Sequence, residues 1–317
     1  MVRRVAVIDD YQDVARRHAD WSALPAGAEL TVFTSPLGGT AEVAAALRPF
    51  DVVVAMRERT PFPAALFKQL PELRLLVTTG MANASIAMDA ARAHGVTVCG
   101  THGSTAATPE LTWGLILDLA RNITAEHLGM REGGWQRTVG TDLAGSTLGL
   151  VGLGRIGTAM ARIAKAFDMD VVAWSQNLDP ARAAEAGVRA VSKHELFTTA
   201  DFVSVHYKLS ERSVGLVGAH ELAQMKPTAY LVNTSRGPLV DQDALLEALR
   251  TGAIAGAGLD VYDVEPLPAH HPLRTAPHVV LTPHLGYVTR RTYDVFYSEA
   301  VENIAAFAAG APVRVLG

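Results

Sequence analysis

Residues Ser146 to Ser175 read STLGLVGLGRIGTAMARIAKAFDMDVVAWS. An apolar run, Leu148 to Val151, leads into Gly152, Gly154 and Gly157. Ile156, Ala159, Met160, Ile163, Ala164 and Phe167 then recur at intervals of three and four, the spacing of one helix face. A second apolar run, Val171 to Trp174, closes the unit. Strand, glycine turn, helix and strand within about thirty residues is the setting in which GxGxxG signals a dinucleotide site. Gly152 permits the tight turn, Gly154 lets a pyrophosphate approach the backbone, and Gly157 lets helix and strand pack closely. The N–H groups at the helix start then face the phosphates. A glycine turn in some other α/β protein is the competing reading, and the flanking strands weigh against it.

The rest of the chain narrows the class. With 317 residues there is room for two domains and large cores. Hydrophobic residues make up 49% and charged residues 19%, an ordinary globular mix. A net charge of −4 without like-charge blocks argues against nucleic acid or an anionic membrane as partner. Arg3 and Arg4 precede only four apolar residues before Asp9, so no secretory signal is expected, and no run approaches a membrane span. The single cysteine, Cys99, ends the run Val96 to Val98 and is expected to be a buried strand residue. These features suit a cytoplasmic protein.

Short apolar strands are expected at Arg3 to Ile8, Leu30 to Phe33, Val52 to Ala55, Leu73 to Val77 and Val96 to Val98. Helical stretches such as Ala41 to Leu47 and Ser85 to Ala93 separate most of them, which implies a parallel α/β sheet. This part lacks the glycine fingerprint and is expected to form a separate substrate domain. Thr108-Pro109-Glu110 reads as a helix start, with Thr108 as N-cap, and Leu111, Leu115, Ile116, Leu119 and Ile123 give that helix an apolar face. Thr124 to Gly145, with Trp135, is less regular and reads as an interface arm or a mobile loop. Further strands are expected at Phe202 to Val205, Tyr230 to Val232, Ala257 to Leu259 and Val279 to Leu281. A last helix, about Arg290 to Ala309, stops at Gly310 and is expected to pack on the first domain.

In open parallel sheets ligands bind beyond the carboxyl ends of the strands. Those ends carry His206, then Asn233-Thr234-Ser235-Arg236-Gly237, then Asp260 and Glu265, then His284. An arginine can hold a substrate carboxylate through two parallel hydrogen bonds. A histidine can move a proton to and from oxygen near neutral pH, and a glutamate beside it favours its charged form and orients the ring. Hydride transfer at a carbon bearing oxygen needs this trio. Taken singly, Arg236 reads as well as a surface ion pair, Glu265 as a loop carboxylate and His284 as a strand-end residue. Their placement at adjacent strand ends favours a site.

These residues stand in LGLVGLGRIG, LVNTSRGPLVD, GAGLDVYDVEPL and LTPHLGYVT, and through them the chain resembles the D-isomer-specific 2-hydroxyacid dehydrogenase family over nearly its whole length. The resemblance implies an α/β enzyme of two domains: a flavodoxin-like substrate domain, 1–100 with 289–317, and an NAD(P)-binding Rossmann domain, 101–288. It implies Arg236 as carboxylate clamp, Glu265 as partner of the histidine and His284 as acid/base. It implies Asp260 at the nicotinamide carboxamide, backbone at Arg155 and Ile156 on the pyrophosphate, and His206 and Thr234 along the cofactor cleft. Gly80, Met81 and Ala82 fall where the family places backbone donors for the substrate carboxylate. The partner so implied is a small 2-keto or 2-hydroxy acid, with no metal, and the assembly a homodimer joined through the cofactor domains.

The chain also departs from the family. Ser175 stands where an acid often binds the ribose hydroxyls, which opens NADP as well as NAD. No arginine adjoins it to hold a 2′-phosphate, which favours NAD; Arg182 is a distant candidate. Lys208 replaces a common proline, and MANAS replaces a loop that bears glycine and aspartate. Arg57 and Arg59 lie where phosphoglycerate-type members carry basic residues, and read equally well as solvated loop arginines. The sequence stops soon after its last helix, which favours a general reductase of the glyoxylate or hydroxypyruvate type. The alternatives are a D-3-phosphoglycerate dehydrogenase and, in another class, a cofactor-gated binding protein resembling the C-terminal-binding-protein corepressors.

Overall fold

The computed structural model describes residues 2–317. The chain divides into two compact units: Thr105–Tyr287, and the remainder, up to Ser104 with Val288–Gly317. The expected boundaries thus move by a few residues, to the start of a helix and to the turn that follows His284.

Among the described residues the first unit holds a five-stranded sheet built from β1 (Arg4–Val7), β2 (Glu29–Val32), β3 (Val52–Ala55), β4 (Leu75–Thr78) and β5 (Thr97–Gly100). Its order is β2-β1-β3-β4-β5 with every pair parallel, the flavodoxin-like arrangement. β3 and β4 are buried throughout, as continuous apolar strands between helices must be, whereas the edge strand β2 alternates. The helix expected from Ser85 begins only at Met88. The backbone of Phe62 exchanges hydrogen bonds with Ser85 and Ala87, and that bridge holds the preceding residues extended. Cys99 lies buried in β5, and burial pushes its thiol up to about 11.

The helix Arg290–Ala308 completes this unit. Thr289 caps it by accepting from Thr292 N–H, and Gly310, at φ 78°, lets the chain turn away. Asn303, fully buried in this helix, donates to Gly100 O at 2.9 Å and accepts from Arg314 Nε at 3.0 Å. Its amide therefore joins helix, strand end and C-terminal tail.

Among the described residues the second unit carries a seven-stranded parallel sheet: β6 (Thr147–Val151), β7 (Asp170–Trp174), β8 (Arg189–Ala190), β9 (Phe202–Val205), β10 (Tyr230–Asn233), β11 (Gly256–Leu259) and β12 (Val279–Leu281). The order β12-β11-β10-β9-β6-β7-β8 reverses direction between β6 and β9, which creates a crevice at their carboxyl ends. β8 is the strand that sequence reading passes over; two residues on an edge are too few for a pattern. The helix Arg155–Ala166 buries Gly157, Met160, Ala161 and Ala164 on the sheet.

Two expectations about the linking helix need correction. It runs Ala107–Arg121 with Ala106 at the N-cap, so Thr108 lies inside the first turn and does not cap. The Thr108 hydroxyl instead donates to Gly286 O at 2.9 Å. Ile123 is not on the buried face: Asn122 adopts φ 54° and ends the helix, so the periodicity breaks there. A second helix, Ile123–Arg131, follows, so the first part of the expected irregular arm is regular.

Truncating Asn303 to Ala would leave Gly100 O and Arg314 without their buried partner. Thermal unfolding of Asn303→Ala should show a loss of about 1–3 kcal/mol, the range for a deserted buried polar group.

Candidate active site

The glycine turn comes first because it dictates what can lie beyond β6. Gly152 sits at φ 103°, and a Cβ there would fall 2.4 Å from His206 O. A Cβ on Gly157 would fall 2.2 Å from Gly152 O. Both glycines are therefore required by the protein's own backbone. Gly154 differs: a Cβ on it would meet nothing within 4 Å. It is the N-cap of Arg155–Ala166 and supplies no side-chain cap, so the first-turn N–H groups face an open concavity.

Beyond the carboxyl ends of β11 and β12, His284 and Glu265 meet. Glu265 lies in the loop after β11 and His284 in the turn after β12. His284 Nδ1 stands 2.5 Å from Glu265 Oε2, with both side chains largely buried. Glu265 Oε1 accepts from Tyr262 N–H at 2.9 Å, so the carboxylate is oriented from both sides. His284 holds φ 55°, a left-handed conformation that costs a non-glycine residue about 1 kcal/mol or more. Asp260 braces this turn. It is fully buried, and its Oδ1 accepts from Thr282 Oγ1 at 2.6 Å and Leu285 N–H at 2.7 Å, while Oδ2 accepts from Gly286 N–H at 2.8 Å. Burial pushes its carboxyl above the usual range, and these hydrogen bonds with the nearby His284 oppose that.

Arg236 follows β10. Asn233 organises its loop: the Asn233 side chain donates to Arg236 O at 2.9 Å and accepts from Ser235 N–H at 3.0 Å. The half-buried Arg236 sends Nη1 to Ser235 O at 2.7 Å. The next residue, Gly237, presses on the neighbouring loop so closely that a Cβ would fall 2.1 Å from the Tyr262 carbonyl carbon. Glu265 and His284 are thus joined directly, and Arg236 is joined to them through the Gly237–Tyr262 backbone contact. Thr234 is buried and shares a 2.8 Å hydrogen bond with Thr112 Oγ1. Thr112 donates its proton to Thr108 O at 2.7 Å, so Thr234 is the donor in that pair.

Residues 113–286 match the model of the D-isomer specific 2-hydroxyacid dehydrogenase, NAD binding domain. The chain belongs to that family. It is 40% identical over 256 residues to a glyoxylate reductase of Aeropyrum pernix, covering 77% of this chain and 76% of that one. It is 37% identical over 270 residues to a D-3-phosphoglycerate dehydrogenase of Bacillus subtilis, covering 84% of this chain but only 51% of the relative. A crystal structure of a phosphoglycerate oxidoreductase from Vibrio cholerae superposes with TM-score 0.92 at 36% identity, covering 98% of this chain and 100% of that one.

The family's nicotinamide dinucleotide fits the residues present. Its pyrophosphate needs an uncapped helix start and a backbone free of side chain, which Gly154 and the first turn at Arg155 and Ile156 provide. Ser175 follows β7 half-buried, with Gln176 and Asn177 exposed beside it. His206 follows β9; its Nε2 pairs with Ser204 Oγ at 2.8 Å, and its Nδ1 is buried without a partner. Burial pushes its imidazole down to about 3, so it stays neutral at physiological pH.

In the first unit, Gly80 is not available as a donor. Its N–H donates to Thr101 Oγ1 at 3.0 Å, while Met81 and Ala82 after it are exposed. Arg57 and Arg59 separate in role. Arg57 donates to Thr79 O at 3.0 Å, and its Nη1 would lie only 1.6 Å from a Cβ on Gly80. Arg59 donates to Asp9 O at 2.6 Å, with its guanidinium 4.4 Å from the centre of the Tyr11 ring.

Sequence reading missed three supporting residues. Tyr262 donates its hydroxyl toward Leu259 O and Thr282 O, at 3.1 and 2.9 Å, and so ties the Glu265 loop to the His284 turn. Thr282 and Thr112 hold neighbouring turns. The bonds Tyr262–Thr282, Thr282–Asp260 and Thr112–Thr234 join residues distant along the chain, where no local pattern marks them, although Tyr262 and Thr282 stand within GAGLDVYDVEPL and LTPHLGYVT.

Because native His206 refuses a proton that the unfolded chain accepts below about pH 6.5, stability falls as pH drops from there toward about 3. The slope contributed is at most about 1.4 kcal/mol per pH unit. Melting temperature followed from pH 7 to 4.5 should decline less steeply in His206→Asn than in the wild type.

Proposed function

We propose that this chain is a reductase of small 2-keto acids, forming D-2-hydroxy acids of the glyoxylate or hydroxypyruvate type. The observation that carries the reading is the His284–Glu265 pair at 2.5 Å, placed on the strand end beyond β12. With Nδ1 turned to Glu265, Nε2 is the atom left to give a proton to a substrate carbonyl oxygen, or to take it back in oxidation. Glu265 keeps the ring in that tautomer and orients it. Arg236 fixes the substrate carboxylate. The bound dinucleotide supplies the hydride. Asp260, committed to the turn through both oxygens, keeps His284 in place; Oδ2, with one bond, retains capacity toward a carboxamide.

NAD is the favoured cofactor, because Ser175, Gln176 and Asn177 offer no cation to a 2′-phosphate. A second reading, a phosphorylated substrate, is favoured by the Arg57 guanidinium lying over Gly80. The homodimer reading draws on the surface at 123–139, where Ile123, Leu128, Met130, Trp135 and Val139 are all exposed and a cavity of about 360 Å³ opens beside Met130 and Trp135. No helix among the described residues is long and apolar enough to cross a membrane. A cytoplasmic location suits the buried, unpaired Cys99.

NADH and NADPH assayed against glyoxylate, hydroxypyruvate and phosphohydroxypyruvate should show turnover with NADH preferred. His284→Ala should lower kcat/KM at least about a hundredfold; a variant as active as the parent would overturn the assignment. Preference for the phosphorylated acid, lost in Arg57→Ala, would select the second reading. Sedimentation should show a dimer that Trp135→Asp shifts toward monomer.

A further inference from the structure

The imidazole of His284 has one hydrogen bond to hold it, at Nδ1. A histidine ring turns over a broad range about its outer torsion, and the bond at Nδ1, which lies off that axis, restrains the torsion from one edge only. Transfer of a proton to a substrate needs the ring held closely in direction and plane. The second restraint comes from the tyrosine three residues on. The Tyr287 and His284 rings lie with centroids 5.4 Å apart and planes at 69°, an edge-to-face contact.

The backbone that carries Tyr287 is itself fixed. Gly286, immediately before it, donates its N–H to Asp260 Oδ2 at 2.8 Å and accepts at its carbonyl from Thr108 Oγ1 at 2.9 Å. Both polar groups of that residue are therefore held, from β11 on one side and from the helix Ala107–Arg121 on the other. A Cβ on Gly286 would come within 3.1 Å of Asp260 Oδ2, so the turn is close-packed at this point. Tyr287 is half-buried, and its ring starts from a root that cannot drift.

We propose that Tyr287 is a positioning residue for His284, whose ring contact narrows the orientation of the imidazole beyond what the bond to Glu265 fixes. This rests on the reading of His284 as the proton carrier. The ring and not the hydroxyl performs the task, so phenylalanine can replace it and leucine cannot. An aliphatic side chain of similar bulk fills the volume but lacks the charge distribution that favours the perpendicular arrangement.

Three variants decide the matter: Tyr287→Phe, Tyr287→Leu and His284→Gln. The first readout needs no substrate. In protein labelled with ¹³C-histidine, the His284 imidazole signals are those lost in His284→Gln. Their order parameter should stay in the rigid range, about 0.85, in wild type and Tyr287→Phe, and fall toward about 0.6 in Tyr287→Leu. The second readout is turnover of glyoxylate and hydroxypyruvate. Tyr287→Leu should lower kcat about three- to tenfold with KM nearly unchanged, and Tyr287→Phe should restore kcat to within about twofold. An imidazole as ordered in Tyr287→Leu as in the wild type would overturn the proposal, and so would a phenylalanine variant as impaired as the leucine one. Full turnover in His284→Gln would overturn the acid/base reading instead, and the order parameters would still report on the contact.

Discussion

A carboxylate with no access to water must find its hydrogen-bond donors within the protein, and wherever those donors are, the chain is fixed. Asp260 is such a group. Fully buried at the end of β11, it draws in Thr282, Leu285 and Gly286 from the turn beyond β12. The turn passes through His284 in a left-handed conformation that its own side chain disfavours. Three hydrogen bonds to the Asp260 carboxyl offset that local cost. Asp260 works beside the β11–β12 pairing and the Tyr262 hydroxyl, which also tie this turn to β11.

The second level of order joins neighbouring loops without relying on side chains alone. Gly237 lets the loop after β10 lie directly on the backbone of Tyr262, the residue whose N–H orients Glu265. Tyr262 then reaches across to Thr282 O. The helix Ala107–Arg121 grips the same region from one side through Thr108 and Thr112, which bind Gly286 and Thr234. Arg236, Glu265 and His284 are thus mounted on loops that are tied to one another.

Much of this was legible in the sequence because it is local. GLGRIG between two apolar runs marks the crevice, and the apolar strands of the second unit lie within a residue or so of where composition puts them. The side chains at the strand ends follow from topology, since a parallel sheet brings successive carboxyl ends to one edge. What stayed hidden depends on partners distant along the chain. Thr108 resembles an N-cap in sequence, yet its hydroxyl is claimed by Gly286, far downstream. Gly80 resembles a free donor, yet Thr101 takes its N–H. The end of the linking helix at Asn122 rests on one left-handed residue that periodicity alone does not reveal.

The three glycines of the turn are alike in sequence and unlike in what keeps them small. At Gly152 and Gly157 the obstacle is the molecule's own main chain; at Gly154 it is empty space. A library scored on expression or heat resistance should therefore reject side chains at the first and third positions and accept them at the second. Scored on growth that depends on the enzyme, the same library should reject all three. Position 154 is open in the fold itself, so any bar to a side chain there must come from what the crevice binds.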